Sequence, residues 1–104
     1  MINHLTIDFE NPQNFFAVRI SSDFMTGARI QPNDILIFDK SRNATDGDII
    51  CAAINKKVFI ARYKSSKNGK FLFFDNAKYC PIVIGQTDNF FLLGVAVENR
   101  FNIK

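Results

Sequence analysis

Nucleophilic catalysis needs a hydroxyl or thiol beside a proton acceptor, and metal chemistry needs three or four ligands held close together. This 104-residue chain offers few residues for either. His4 is the single histidine. It lies in a polar N-terminal stretch, without the companions that a zinc site or a histidine triad requires, and it reads as a surface residue. Cys51 sits inside an apolar run and reads as a small buried hydrophobe; with Cys80 it makes neither a disulfide framework nor a metal site. Asp34, Asp46 and Asp48 stand at turns that precede apolar runs. A carboxylate pair for acid–base work is one reading of them, and side-chain-to-backbone hydrogen bonding within turns is the preferred one. Lys56, Lys57, Arg62, Lys64, Lys67 and Lys70 fall in fifteen residues that hold no acid, with Phe59, Tyr63 and Phe71 between them. Such a run serves either as a patch for nucleic acid or an acidic partner, or as a solvated hairpin whose lysines discourage edge pairing. The second reading is preferred, and direct nucleic-acid binding is not expected, because thirteen Lys+Arg against ten Asp+Glu leave only +3. No cofactor and no metal are expected.

The elements that must position these residues are strands. Hydrophobic residues make up 47% of the chain, enough for one core and too few for two at this length. Twelve phenylalanines stand beside many Ile and Val, which favour strands, and helical spacing is hard to find. Apolar runs fall at 15–20, 35–38, 49–54, 58–63, 71–74, 82–84 and 90–97, separated by turn residues. That spacing predicts a mainly β single domain of about seven strands in bent, mostly antiparallel sheets, of Greek-key or meander type, over residues 15–104. Residues 1–14 read as an arm or edge segment. Asn68-Gly69 is the strongest hairpin signal, Asn55-Lys56-Lys57 a second one. Asp23-Phe24-Met25 reads as the start of one helical turn capped by Ser22 or Asp23. Two runs, Ile49 to Ile54 and Phe90 to Leu93, are apolar at consecutive positions and so demand cover on both faces. Either a dimer or partner surface, or a sheet bent over itself, would supply it. The longest apolar run has six residues and the start lacks a signal-peptide pattern, so a cytoplasmic protein without membrane contact is expected.

From Phe15 onward the order of features resembles a known family. Phe16 to Met25 looks like the strand and nucleophile loop of LexA and UmuD, the self-cleaving serine peptidases of the SOS response. Gly27-Ala28-Arg29-Ile30-Gln31-Pro32-Asn33-Asp34, then Ile35 to Asp39, is similar to that family's glycine, Ile, turn, Asp and apolar strand ending in Asp. Asp46-Gly47-Asp48-Ile49-Ile50 resembles its Gly-Asp-Ile-Val strand, Asn76 to Ile82 its Asn-x-x-Tyr-x-Pro-Ile segment, and Gly94 to Val97 its closing strand. UmuD is the nearer of the two, since no DNA-binding helix-turn-helix fits ahead of the domain.

The departures carry the functional expectation. The family's nucleophile lies in Gly-Asp-Ser-Met; here Ser22-Asp23-Phe24-Met25 puts Phe24 at the serine. The family's base is a lysine in Val-Lys-Lys/Arg-Leu; here Ile60-Ala61-Arg62-Tyr63 puts Ala61 at the lysine. Phenylalanine supplies no attacking oxygen and alanine accepts no proton, so the resemblance implies a degenerate peptidase with no catalytic residues. A rival dyad of Ser21 or Ser22 with Lys64, which would leave a residual self-cleaving peptidase, is the least favoured alternative. Residues 61 and 64 are three apart in a strand and face opposite sides. The Arg62 guanidinium stays protonated. The Ala-Gly or Cys-Gly bond that the family cuts is missing too. What remains is an interaction module, with Phe24, Lys56, Lys57, Arg62 and Lys64 as candidate binding residues. The resemblance implies a homodimer, or a heterodimer with a UmuD-like relative, and an accessory role beside a Y-family translesion DNA polymerase. The alternative is a regulatory pseudo-peptidase that pairs with an active relative. A packing corollary follows: the ring of Phe24 is expected to fill the space of the lysine stem and to touch Ala61.

Overall fold

The protein was analysed as a computed structural model, which describes residues 12–100. His4 and the arm through residue 11 lie outside the described residues, as do residues 101–104. After a 3₁₀ turn at Pro12–Asn14, seven strands follow: β1 (Phe15–Arg19), β2 (Ile35–Asp39), β3 (Ile49–Ile54), β4 (Lys57–Ser66), β5 (Gly69–Phe73), β6 (Ile82–Ile84) and β7 (Phe90–Arg100). All pairings are antiparallel, in one sheet of order β1-β2-β7-β3-β4-β5-β6. No helix among the described residues is long and apolar enough to cross a membrane.

The sheet is bent enough to enclose two cores. On one face Ile20, Met25, Ile30, Leu36, Phe38, Ile49 and Cys51 cluster, with Val18, Phe24 and Ile60 packed against them. On the other, Ile50, Ala52, Ile54, Ala61, Tyr63, Leu72 and Val95 cluster, with Phe59, Phe74, Ile82 and Phe90 around them. Alternate residues of β3 therefore enter different cores, which explains its unbroken apolar run. Of the two expected sources of cover, the bent sheet supplies it for β3. β7 is different: Phe91 is 64% exposed.

The bend requires a close approach. Register shifts fall at Ile37/Phe38 where β2 meets β7 and at Cys51/Ala52 where β3 meets β7. Bulges of this kind increase local twist. Between them lies Gly94, on which Phe16 and Phe38 rest, with their rings stacked at 5.2 Å. A Cβ on Gly94 would stand 2.8 Å from a ring carbon of Phe16 and 2.9 Å from the Phe38 Cβ.

Turn chemistry agrees with the sequence in kind and differs in detail. Asn55 and Lys56 both have positive φ, 50° and 74°, and form a two-residue hairpin loop of the I′ kind. In the second hairpin Ser66 pairs with Gly69, so Lys67-Asn68 is the loop and Gly69 alone has positive φ, 131°. The expected helical turn is displaced from 23–25 to a 3₁₀ turn at Thr26–Ala28. Asp23 does not cap it, because its carboxylate is bound elsewhere.

Replacing Gly94 by Ala forces Phe16 and Phe38 apart and lowers unfolding free energy by roughly 1–3 kcal/mol. Urea denaturation at constant m-value checks this; an unchanged midpoint would show that the two rings yield without cost.

Candidate functional site

The segment Asp23–Ala28 is fastened to the segment Phe74–Tyr79. The Gly27 amide donates to the Asp75 carbonyl at 2.6 Å, and the Asp75 amide donates to the Met25 Sδ at 3.4 Å. A Cβ at residue 27 would lie 2.4 Å from the Asp75 oxygen, so only glycine allows this approach. The Asn76 side-chain amide donates to the Asp23 carbonyl at 2.9 Å. The Asp23 carboxylate accepts from Lys78 Nζ at 2.8 Å and from the Tyr79 hydroxyl at 2.5 Å. These two donors hold the Asp23 carboxyl below its ordinary pKa. The same carboxylate raises the pKa of Lys78 and of Tyr79. Met25 anchors the segment from beneath, 2% exposed.

This fastening sets the Phe24 ring. Its centroid lies 4.8 Å from Phe74 and 4.5 Å from Tyr79, the latter edge-on, a favoured aromatic geometry. Phe74 in turn leans on Phe59 at 6.2 Å. The Phe24 ring therefore meets aromatic partners beyond the Ala61 methyl that the sequence suggested. Phe24 packs against the first core and Ala61, fully buried, belongs to the second. Ala61 pairs with Ile50 across β3.

Arg62, next to Ala61, holds Asp75 from below. Its Nη2 donates to Asp75 Oδ2 at 2.6 Å and its Nε to the same oxygen at 3.1 Å. Its Nη1 donates to the Gly47 carbonyl at 2.7 Å. One guanidinium thus ties β4 to two loops, a use that suits its planar set of donors.

Above Phe24 a groove of about 230 Å³ opens between β1 and β4. Val18, Ile20, Phe24, Phe59 and Ile60 supply much of its apolar lining; Ser21 and Ser22 supply hydroxyls, and among the described residues Arg19 is the single charged one in the lining. The groove thus combines apolar side chains with an edge strand. Hydrogen bonds from the Ile20 amide to Asp34 and from the Lys40 amide to Asn14 mark the residues of β1 that face β2. By alternation the backbone groups of Phe15, Ala17 and Arg19 face away from β2, on the side where no strand among the described residues pairs with β1.

The other sequence candidates are scattered. Lys56 is exposed in the β3–β4 turn and Lys57 begins β4, whereas Lys67 lies beyond its far end, about 30 Å away along a ten-residue strand. The basic run of the sequence is therefore not one patch. Lys64 is half-buried, paired with Phe71 and outside the groove lining. Asp34 accepts from the Gln31 amide and Asp48 from the Thr45 amide and hydroxyl, as turn carboxylates do, whereas Asp46 reaches across to the Ser65 amide of β4. Cys51 is 3% exposed, and burial raises its thiol pKa. Among the described residues no three His, Cys, Asp or Glu side chains group as metal ligands would. Sequence reasoning missed Asp75, Lys78 and Tyr79 as partners of the 23–28 loop. Only the Asn76-to-Ile82 resemblance pointed toward that segment.

The fastening is pH-dependent. Asp23 has a lowered folded pKa, so its contribution is present above the ordinary carboxylate value of 3.8 and is lost as pH falls through the folded value. Lys78 and Tyr79 have raised values, so theirs are lost only at strongly alkaline pH. Amide exchange of residues 23–28, measured at fixed net charge-screening salt, is expected to accelerate beyond the intrinsic rate below about pH 4. Asp23→Asn removes the acid-induced step; an identical step in that variant would assign it to another group.

Comparison with known proteins agrees with this geometry. The chain is 30% identical over 98 residues to a LexA repressor of Providencia rettgeri, covering 91% of this chain and 48% of the relative. It is 37% identical over 76 residues to a LexA repressor of Carboxydothermus hydrogenoformans, covering 71% and 37%. It is 30% identical over 73 residues to one of Shewanella piezotolerans, covering 70% and 35%. The chain thus spans less than half the length of these curated relatives. The sequence profile of the family described as Peptidase S24-like matches residues 2–97, nearly the whole chain, and with the seven-stranded fold around the 23–28 loop it places this protein in the Peptidase S24-like family.

Proposed function

We propose that this chain is a non-catalytic protein-interaction module of its family, which takes an extended polypeptide along the groove between β1 and β4. The observation that carries the reading is the ring of Phe24, held by Phe74 and Tyr79 at the position where the family resemblance puts a serine nucleophile. Ala61, at the matching lysine position, has no amine to take a proton. Among the described residues, the groove lining offers Ser21 and Ser22 without a lysine, histidine or carboxylate to activate them. The backbone groups of Phe15, Ala17 and Arg19, unpaired among the described residues, suit pairing with an added strand, and the apolar lining suits its side chains. The resemblance supplies the setting: a homodimer or heterodimer with a UmuD-like relative in the DNA-damage response, accessory to a Y-family translesion DNA polymerase.

Two measurements test this. Incubated for a day at about pH 10, where a family lysine would be largely neutral, the chain stays intact by mass spectrometry. A shortened product that disappears in Ser22→Ala would overturn the non-catalytic reading. In a pull-down with a Y-family polymerase subunit, retention is expected at micromolar concentration, the range of a transient accessory contact. Failure to bind would remove the polymerase as partner.

A further inference from the structure

The chain sets a glycine behind an Asn or Asp at Asp46-Gly47 and at Asn68-Gly69. Such a glycine matters chemically. Without a Cβ, its amide nitrogen reaches the preceding side-chain carbonyl unhindered. The two places differ in the fold. The Gly47 amide donates to the Tyr63 carbonyl at 2.7 Å, and the Asp46 carboxylate accepts from the Ser65 amide at 2.9 Å. Both groups that would react are thus engaged with β4. Asn68 is exposed, in the two-residue loop between β4 and β5. Its carboxamide has no hydrogen-bond partner among the described residues; its backbone amide donates to the Ser66 hydroxyl at 3.2 Å. Asn55 and Asn76, also at turns, are held at both ends of their carboxamides. Asn55 donates to Asp88 and accepts from the Asn89 amide, while Asn76 donates to the Asp23 carbonyl and accepts from the Lys78 amide. Asn33 and Asn43 are exposed as well, but Asp34 and Ala44 follow them, and a Cβ hinders the approach.

The Gly69 amide belongs to the last rung of its hairpin, opposite Ser66. That rung has little support. β3 accompanies β4 only as far as Arg62, and β6 accompanies β5 only from Lys70. Ser66 and Gly69 therefore have no strand neighbour outside the hairpin, and rungs at such an end open readily. The φ of Gly69, 131°, calls for glycine, so the turn itself builds the pair in. Lys67 and Lys70 flank it, and positive charge favours a deprotonated nitrogen over the neutral amide. We infer that Asn68 is a modification site, where the Gly69 nitrogen closes on the Asn68 side chain and converts it to isoaspartate and aspartate. The Gly69 amide gives its proton to solvent base, and its nitrogen forms a bond to Asn68 Cγ. The Cγ–Nδ2 bond breaks, and Nδ2 leaves as ammonia with a proton from water, which leaves a cyclic imide. Water then opens the ring. Cleavage between the nitrogen and Cγ gives aspartate; cleavage between the nitrogen and the main-chain carbonyl carbon gives isoaspartate. One water is consumed, one ammonia is released, and nothing is oxidised or reduced. Either product adds a carboxylate and lowers the formal net charge of +3 by one. Isoaspartate also lengthens the main chain within the loop, which parts Gly69 from Ser66 and ends the hairpin at the Ser65–Lys70 rung.

Mass spectrometry on the full chain tests this after incubation for days at about pH 8.5. Chymotrypsin then releases the segment from Lys64 to Phe71, whose one asparagine is Asn68. The expected result is a gain of about 1 Da confined to that segment, in two separable products. One of them accepts a methyl group from a protein isoaspartyl methyltransferase. The rate rises about tenfold per pH unit from neutral to mildly alkaline pH, as deprotonation of the Gly69 amide requires. Asn68→Gln keeps an exposed amide but needs a larger, slower-forming ring, and shows no gain. A synthetic peptide of residues 64–71 sets the unhindered rate, and the folded chain is expected within about tenfold of it. An unchanged chain beside a reacting peptide would mean that the Ser66–Gly69 rung protects the amide, and overturns the inference. Aspartate without isoaspartate would mean direct hydrolysis without Gly69, and overturns it too. So does an equal gain at Asn43, Asn55 or Asn76, which would remove the selectivity assigned to this turn.

Discussion

The contact between the Gly27 amide and the Asp75 carbonyl fixes the position of everything that matters at the site. At 2.6 Å it brings two loops, far apart in sequence, to backbone contact, and the 2.4 Å clearance leaves no room for a side chain at residue 27. Once that contact is made, Met25 drops into the first core and Phe24 is turned onto Phe74 and Tyr79. Asp23 comes within reach of Lys78 and the Tyr79 hydroxyl. Arg62 completes the arrangement from the sheet by holding the Asp75 carboxylate. Both ionised groups keep several hydrogen bonds, so the half-buried charge is compensated rather than stranded.

Much of the fold is legible in the chain because strand signals are local. Apolar runs bounded by turn residues locate all seven strands, and the consecutive apolar residues of β3 announce a strand covered twice. The errors lie at strand ends. β4 runs to Ser66 and β7 to Arg100, several residues past their apolar runs. Ladder hydrogen bonds continue through polar residues once a partner strand is in register, and composition does not register that. The bulges at Ile37/Phe38 and Cys51/Ala52 were not legible either, since a bulge is a property of a pair of strands and each strand's own sequence looks regular.

The site was legible in one half. Residues 22–25 and 60–63 were singled out through their order in the chain, but the rings that Phe24 meets were not, because Phe74 and Tyr79 are about fifty residues away and nothing local pairs them. The basic run shows the opposite failure. Six cations close in sequence suggest one patch, yet a ten-residue strand carries them to opposite ends of a hairpin and alternation divides them between faces. Arg62 among them is absorbed by Asp75 and Gly47. Density of charge along a strand is a poor guide to density of charge on a surface.

The exposure of Phe91 follows from the same bend that buries β3. A sheet that folds β1 and β2 across β3 and β4 covers the part of that face from Ile49 to Cys51, and its loop 21–30 closes one end. β1 has only five residues and β2 five, about 17 Å each, so the cover stops short of the hairpin at Asn55. Ala53, Val58 and Phe91 lie beyond it. Lengthening β1 would hide them and close the groove; the short strands keep both open. An apolar row near a sheet edge that is unpaired among the described residues is an aggregation hazard unless something disfavours self-association. Charged side chains at the hairpin end of the row, Lys56 in the Asn55 turn and Asp88 bound to the Asn55 side chain, raise the cost of burying that end against a second row.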